Sequence, residues 1–220
     1  MKKFDFEKDK LLILLVLTDL VFILLHILHT YTGLLPGDFF SIDKDGGYGE
    51  FFQYTKELWV VILFLLLGIK KRGVVYIIFS LLFLYFLFDD SFEFHERFGA
   101  FLADFLNFQP RFGLRERDFG ELVVSGFFGA LFFISIGITY SLSDISTRTV
   151  TKYLLGMIGL LAIFGIMVDM LEIIVEHAEV SEILVIVEEG GEMLVMSGIT
   201  WFVFRLDPAG DKIPIFGENG

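Results

Sequence analysis

The sequence predicts an all-α integral membrane protein, a single transmembrane domain of about six helices, and three observations carry that expectation. Of the 220 residues 55% are hydrophobic, and the mean hydropathy of +0.71 is far above that of a water-soluble domain. The apolar residues gather in runs of about 20, the length a helix needs to cross roughly 30 Å of hydrocarbon at 1.5 Å per residue. Between the runs stand short connectors rich in Gly, Asp, Lys and Arg, with no stretch left over for a separate soluble domain.

The first span is 11–31. Its charged approach, Met1 to Lys10, briefly resembles a signal peptide. The apolar run is too long for one, carries Asp19, His26 and His29, and lacks a small-residue cleavage site, so it is a retained helix. A connector with Pro36, several glycines, Asp38, Asp43 and Asp45 follows. The second span, 51–69, carries Lys56 and Glu57 in its first turns, near the membrane interface. Lys70-Lys71-Arg72-Gly73 is a tight basic turn, and the third span covers 74–90, with helix continuing as far as Glu96. Residues 98–108 have the pattern of an amphipathic helix lying on the outer membrane face. Arg111, Arg115 and Arg117 lie on a polar link after it, and Asp118-Phe119-Gly120-Glu121 has capping-box spacing at the start of the fourth span, 119–142. The fifth span, 153–176, shows Gly156, Gly159, Ala162 and Gly165 at steps of three, a stripe that lets a neighbouring helix come close. The sixth, 183–204, encloses Glu188-Glu189-Gly190-Gly191-Glu192. Paired glycines there either pack a neighbour or let the helix unwind so that carbonyls reach an ion.

Six spans put both termini on one side. That side collects eleven of the 17 Lys and Arg residues and the other six, so the termini are expected in the cytoplasm of a bacterial or archaeal cell, with the chain in its cytoplasmic membrane. The acids sort the opposite way. Of 29, seven are cytoplasmic, Asp19 falls mid-span, and 21 lie on the outer side with His26, His29, His95 and His177.

A chain without Cys excludes thiol catalysis, disulfides and Cys-ligated zinc or iron–sulfur sites. A net charge of −12 argues against nucleic acid. His95-Glu96 is followed by Gly99 where a zincin needs its second His, and Asp43-Lys44-Asp45-Gly46 is too short for a calcium loop.

Ionisable groups inside a span are costly unless they face protein or water, so they mark the site. From the rise per residue, His26 lies about 8 Å below the outer end of its helix, Asp169 about 10 Å, and Glu188 to Glu192 about 8–14 Å. Helical spacing places Asp19 with His26, Asp169 with Glu172 and Glu176, and Glu188 with Glu192 on common faces. Carboxylates crowded in low dielectric bind metal, hold protons or pair with bases. The candidate ligands of a divalent cation are His26, His29, Asp89, Asp90, His95, Glu96, Asp169, Glu172, Glu188 and Glu192, a mixed N/O set that leaves Zn, Mn, Fe, Mg and Ca open. In general outline this gathering is similar to that of membrane-embedded metal hydrolases. The leading expectation is a metal-dependent hydrolase acting on a lipid-like substrate, with Lys56, Arg111, Arg115 and Arg117 on its head group. A cation or proton transporter is the first alternative, favoured a little by Asp19. A structural subunit without catalysis is the second.

Overall fold

The computed structural model describes residues 6–175 and 178–206, and within them the chain is entirely helical apart from turns. Seven helices follow in order: α1 Phe6–Thr32, α2 Tyr48–Lys71, α3 Val74–Phe92, α4 Phe94–Leu106, α5 Glu116–Leu142, α6 Ile145–Ile174 and α7 Ala178–Phe204. A 3-10 turn, Asp38–Phe40, sits in the first connector. Five helices are long and apolar enough to span a membrane, namely α1 (from Asp9), α2, α3, α5 and α6, as a polytopic integral membrane protein requires. Glu176, His177 and the tail from residue 207 lie outside the described residues.

Several boundaries move for local reasons. α3 does not run on to Glu96. Glu93 takes a left-handed backbone (φ 51°) and its N–H bonds the Asp89 carbonyl, which ends α3 and starts the amphipathic helix at Phe94, four residues before the expected 98. The capping box lies three residues earlier than expected. α5 begins at Glu116, and Asp118 is its third residue, accepting the Arg115 N–H at 2.7 Å. The basic turn stands as read, with Arg72 at φ 51° between α2 and α3. Residues 163–168 of α6 wind as π-helix, an insertion that alters which face the following residues present.

The chain falls into two compact units, the first built from residues up to Lys56 with Gly156–Phe204, the second chiefly from Glu57–Leu155. In the second, α2 and α3 close on an aromatic core. Phe64 stacks on Tyr76, Phe79 and Phe83, all four rings buried, and the Ser80 hydroxyl donates to the Val61 carbonyl at 2.9 Å. Gly99 and Gly120 let α4 and α5 touch backbone to backbone, since a Cβ on Gly120 would overlap the Gly99 carbonyl. In the first unit α7 packs against α1 and against the end of α6. Gly190 faces Ile23, and a Cβ on Gly191 would come within 2.5 Å of the Phe164 ring. The glycine pair therefore serves close packing, and α7 stays helical through it. Of the three glycines in the stripe on α6, Gly165 has a neighbour in the space a Cβ would take, whereas Gly156 and Gly159 have none among the described residues.

Candidate functional site

The sharpest polar feature of the first unit is a charge pair from which water is shut out. Asp19, midway along α1, and Lys56, two turns into α2, are both fully buried, as is Ser197 of α7. The Lys56 ammonium donates to Asp19 Oδ1 at 2.9 Å, to the Met193 carbonyl at 2.8 Å and to Ser197 Oγ at 3.4 Å, with the Phe52 ring 4.8 Å away. The Ser197 hydroxyl donates to the other Asp19 oxygen. Three helices are thus tied at one point. Desolvating two ions costs several kcal/mol each, and only close opposite charge with further hydrogen bonds offsets that. The sequence expectation for Lys56 is corrected. Lys56 is not an interfacial contact for a head group, because it lies three residues deeper on a helix that starts at Tyr48. Asp19, expected mid-span, is there paired with Lys56.

Two turns along α1 on the Asp19 face, His26 is 4% exposed and is held by the connector rather than by acids of other helices. The Ile42 N–H donates to His26 Nδ1 at 3.3 Å, which puts the neutral ring's proton on Nε2. Ser41 Oγ lies 2.9 Å from the same nitrogen, and the single Ser41 hydroxyl proton can be donated either to it or to Asp43. The result is a chain of exchangeable groups, Asp43, Ser41 and His26, leading from an exposed carboxylate to a buried imidazole. His29 Nδ1–H donates to the Leu35 carbonyl at 2.7 Å, so its ring fastens the same loop.

The acids of α6 and α7 influence one another electrostatically. Glu188 lies within electrostatic reach of Asp169, Glu172 and Asp43, and the Ser181 hydroxyl donates to Glu172. The π-wound turn immediately precedes Asp169. Inside it, the missing side chain of Gly165 makes the room that the Glu192 carboxylate occupies. One turn of α7 therefore sends Glu192 toward α6 while the Met193 carbonyl receives Lys56.

The second unit holds its own polar corner. Asp89 closes the end of α3, and its Oδ1 accepts the His95 backbone N–H at 2.7 Å and lies 3.1 Å from His95 Nδ1. Burial disfavours the charged ring, but the Asp89 carboxylate, with Glu96 and Glu121 nearby, outweighs it and lifts His95 to about 9. Asp90 is half-buried beside this corner, and Glu96 is exposed. Arg115 and Arg117 both turn to the buried carboxylate of Asp118, at 2.8 and 3.7 Å, while about half of each side chain stays exposed. Arg111 sits in a tight turn closed by its own N–H and carbonyl with Leu114.

The ten expected metal ligands are thus divided, with His26, His29, Asp169, Glu172, Glu188 and Glu192 in the first unit and Asp89, Asp90, His95 and Glu96 in the second. Among the described residues, no group of three or more His, Asp or Glu side chains is placed to hold a metal ion. Sequence reasoning missed the Asp19–Lys56–Ser197 knot and the Ser41 bridge. Opposite charges on consecutive antiparallel spans were the available signal for the first; a loop hydroxyl gives none. No curated protein and no solved structure matches the chain. Residues 14–206 match the family model described as a domain of unknown function, DUF8692. With nearly all of its described helices inside that match, the chain belongs to the DUF8692 family.

Proposed function

We propose that the protein is a six-span proton carrier with cytoplasmic termini in a bacterial or archaeal cytoplasmic membrane. α7 is the sixth span. It is 27 residues long, and of its five acids Glu192 reaches α6 at Gly165 and Glu188 lies near Asp169 and Glu172 of α6, so these two face protein rather than lipid. Protons reach the Asp43–Ser41–His26 chain and the Asp169, Glu172 and Glu188 carboxylates. From there a proton passes to Asp19. Neutralising that carboxylate breaks its ion pair and leaves Lys56 on the Met193 carbonyl and Ser197; loss of the proton toward the cytoplasm restores the pair.

The observation that carries this reading is the buried Asp19–Lys56–Ser197 knot, a titratable pair at the middle of a span, with the buried His26 imidazole two turns along the same face of α1. A proton needs only paired acceptors, whereas the metal-dependent hydrolase expected from sequence needs three converging ligands. Protons are therefore the ligand this geometry favours. The second reading, a structural clamp without transport, is favoured by the close fit of acceptors around the Lys56 ammonium.

Reconstitution in liposomes with an internal pH dye and an imposed potassium diffusion potential separates these readings. Parent protein is expected to carry protons well above the leak of empty liposomes. The double variant Asp19→Asn with Lys56→Met, shown folded by its melting transition, is expected to fall to that leak. Equal flux in parent and double variant rejects the carrier and leaves the clamp. Stoichiometric divalent metal in the purified parent together with lipid hydrolysis returns the hydrolase reading.

A further inference from the structure

A groove of about 500 Å³ opens between the end of α4 and the start of α5, within the roughly 300–1,000 Å³ typical of small-molecule sites. It is lined by apolar Phe108, Phe119, Leu122 and Val123 together with polar Asn107, Gln109 and Arg111. Arg115 and Arg117 are engaged by Asp118, so Arg111 is the guanidinium of this link that presents itself to the groove. Next to it Phe112 is 87% exposed and is held there at φ 57° by a turn in which Gly113 is also left-handed. A bulky non-glycine residue in that region at a turn tip is uncommon, and projecting a phenyl ring into water has no benefit of its own. Phe94, Phe98, Phe101 and Phe105 continue the apolar surface as an exposed ladder of stacked rings along α4. Rings, a cation and amides in that order are the profile of a helix and loop lying at the level of lipid head groups.

We infer that this groove binds one anionic phospholipid, with its phosphate on Arg111 and an acyl chain along Phe108, Phe119, Leu122 and Val123, while Phe112 and the α4 ladder sit in the same leaflet. Charge complementarity selects the occupant. On a chain of net charge −12, a cation beside an apolar trough attracts a ligand with one negative head and a hydrocarbon tail. The Asn107 and Gln109 amides suit the ester and glycerol oxygens below the phosphate.

The test is native mass spectrometry of the purified full chain offered equal amounts of dioleoyl phosphatidylglycerol and dioleoyl phosphatidylcholine. Parent protein is expected to retain the anionic lipid about fivefold over the zwitterionic one, the bias one arginine gives near an anionic head group. Arg111→Gln should bring the ratio near one, and Arg111→Lys should keep a bias between the two. Excess glycerophosphoglycerol, the water-soluble head group, should leave the lipid in place. Equal retention by the parent, or a ratio unchanged in Arg111→Gln, overturns the site. Displacement by glycerophosphoglycerol or by inorganic phosphate overturns the lipid and makes the occupant a free phosphate.

Discussion

The two units solve the same electrostatic problem differently. In the first, Asp19 and Lys56 are 37 residues apart in sequence and lie on different helices, and Ser197 comes from a third; all are fully buried. In the second, Asp118 is satisfied by Arg115 three residues away and Asp89 by His95 six residues away, both at helix ends with one partner partly exposed. A local pair forms whenever its helix end forms, and water shares the charge. A pair drawn from three helices exists only once those helices have docked, and it has no solvent to fall back on. The first kind secures a turn. The second ties the packing of three helices to two buried charges that must stay matched.

The largest expected effect breaks the buried pair from one side. Asp19→Asn or Lys56→Met alone leaves an uncompensated charge and should destabilise by about 3–5 kcal/mol, whereas the double variant should recover most of the loss. Thermal unfolding in one detergent measures this. Single variants that melt with the parent would make the pair as dispensable as a surface one. A smaller effect is expected in the second unit from Gly120→Ala, which must push the backbones of α4 and α5 apart at Gly99, at a cost of about 1–3 kcal/mol. Gly156→Ala, where no atom lies in the way, serves as its silent control.

The smallest effect is one of pH, and it sharpens the contrast because it belongs to the half-open corner. His95 titrates near 9 in the folded chain against 6.5 ordinarily. Its contact with Asp89 therefore contributes fully below pH 6.5 and is lost as pH rises through about 9. Melting temperature followed from pH 6 to 10 should fall more steeply in the parent than in Asp89→Asn. Parallel profiles would remove His95 from the account.

What the sequence by itself determined is the all-helical class and five of the helices long and apolar enough to cross a membrane, because apolar run length against bilayer thickness is a one-dimensional property. The turn at Arg72–Gly73 and the acidic face of α7 were legible for the same reason, since each depends on near neighbours. The left-handed break at Glu93 was not, because α3 and α4 together show one unbroken helical pattern and only the Asp89 carboxylate, capping His95, decides the break. Nor were the π-wound turn of α6, which opens beside the Glu192 carboxylate at Gly165, and the burial of Lys56. A charge counted along a chain has a position but no partner. Whether Lys56 points to lipid head groups or into Asp19 depends on how α1, α2 and α7 turn about their own axes, and that rotation is fixed by side-chain packing across residues as far as 178 positions apart.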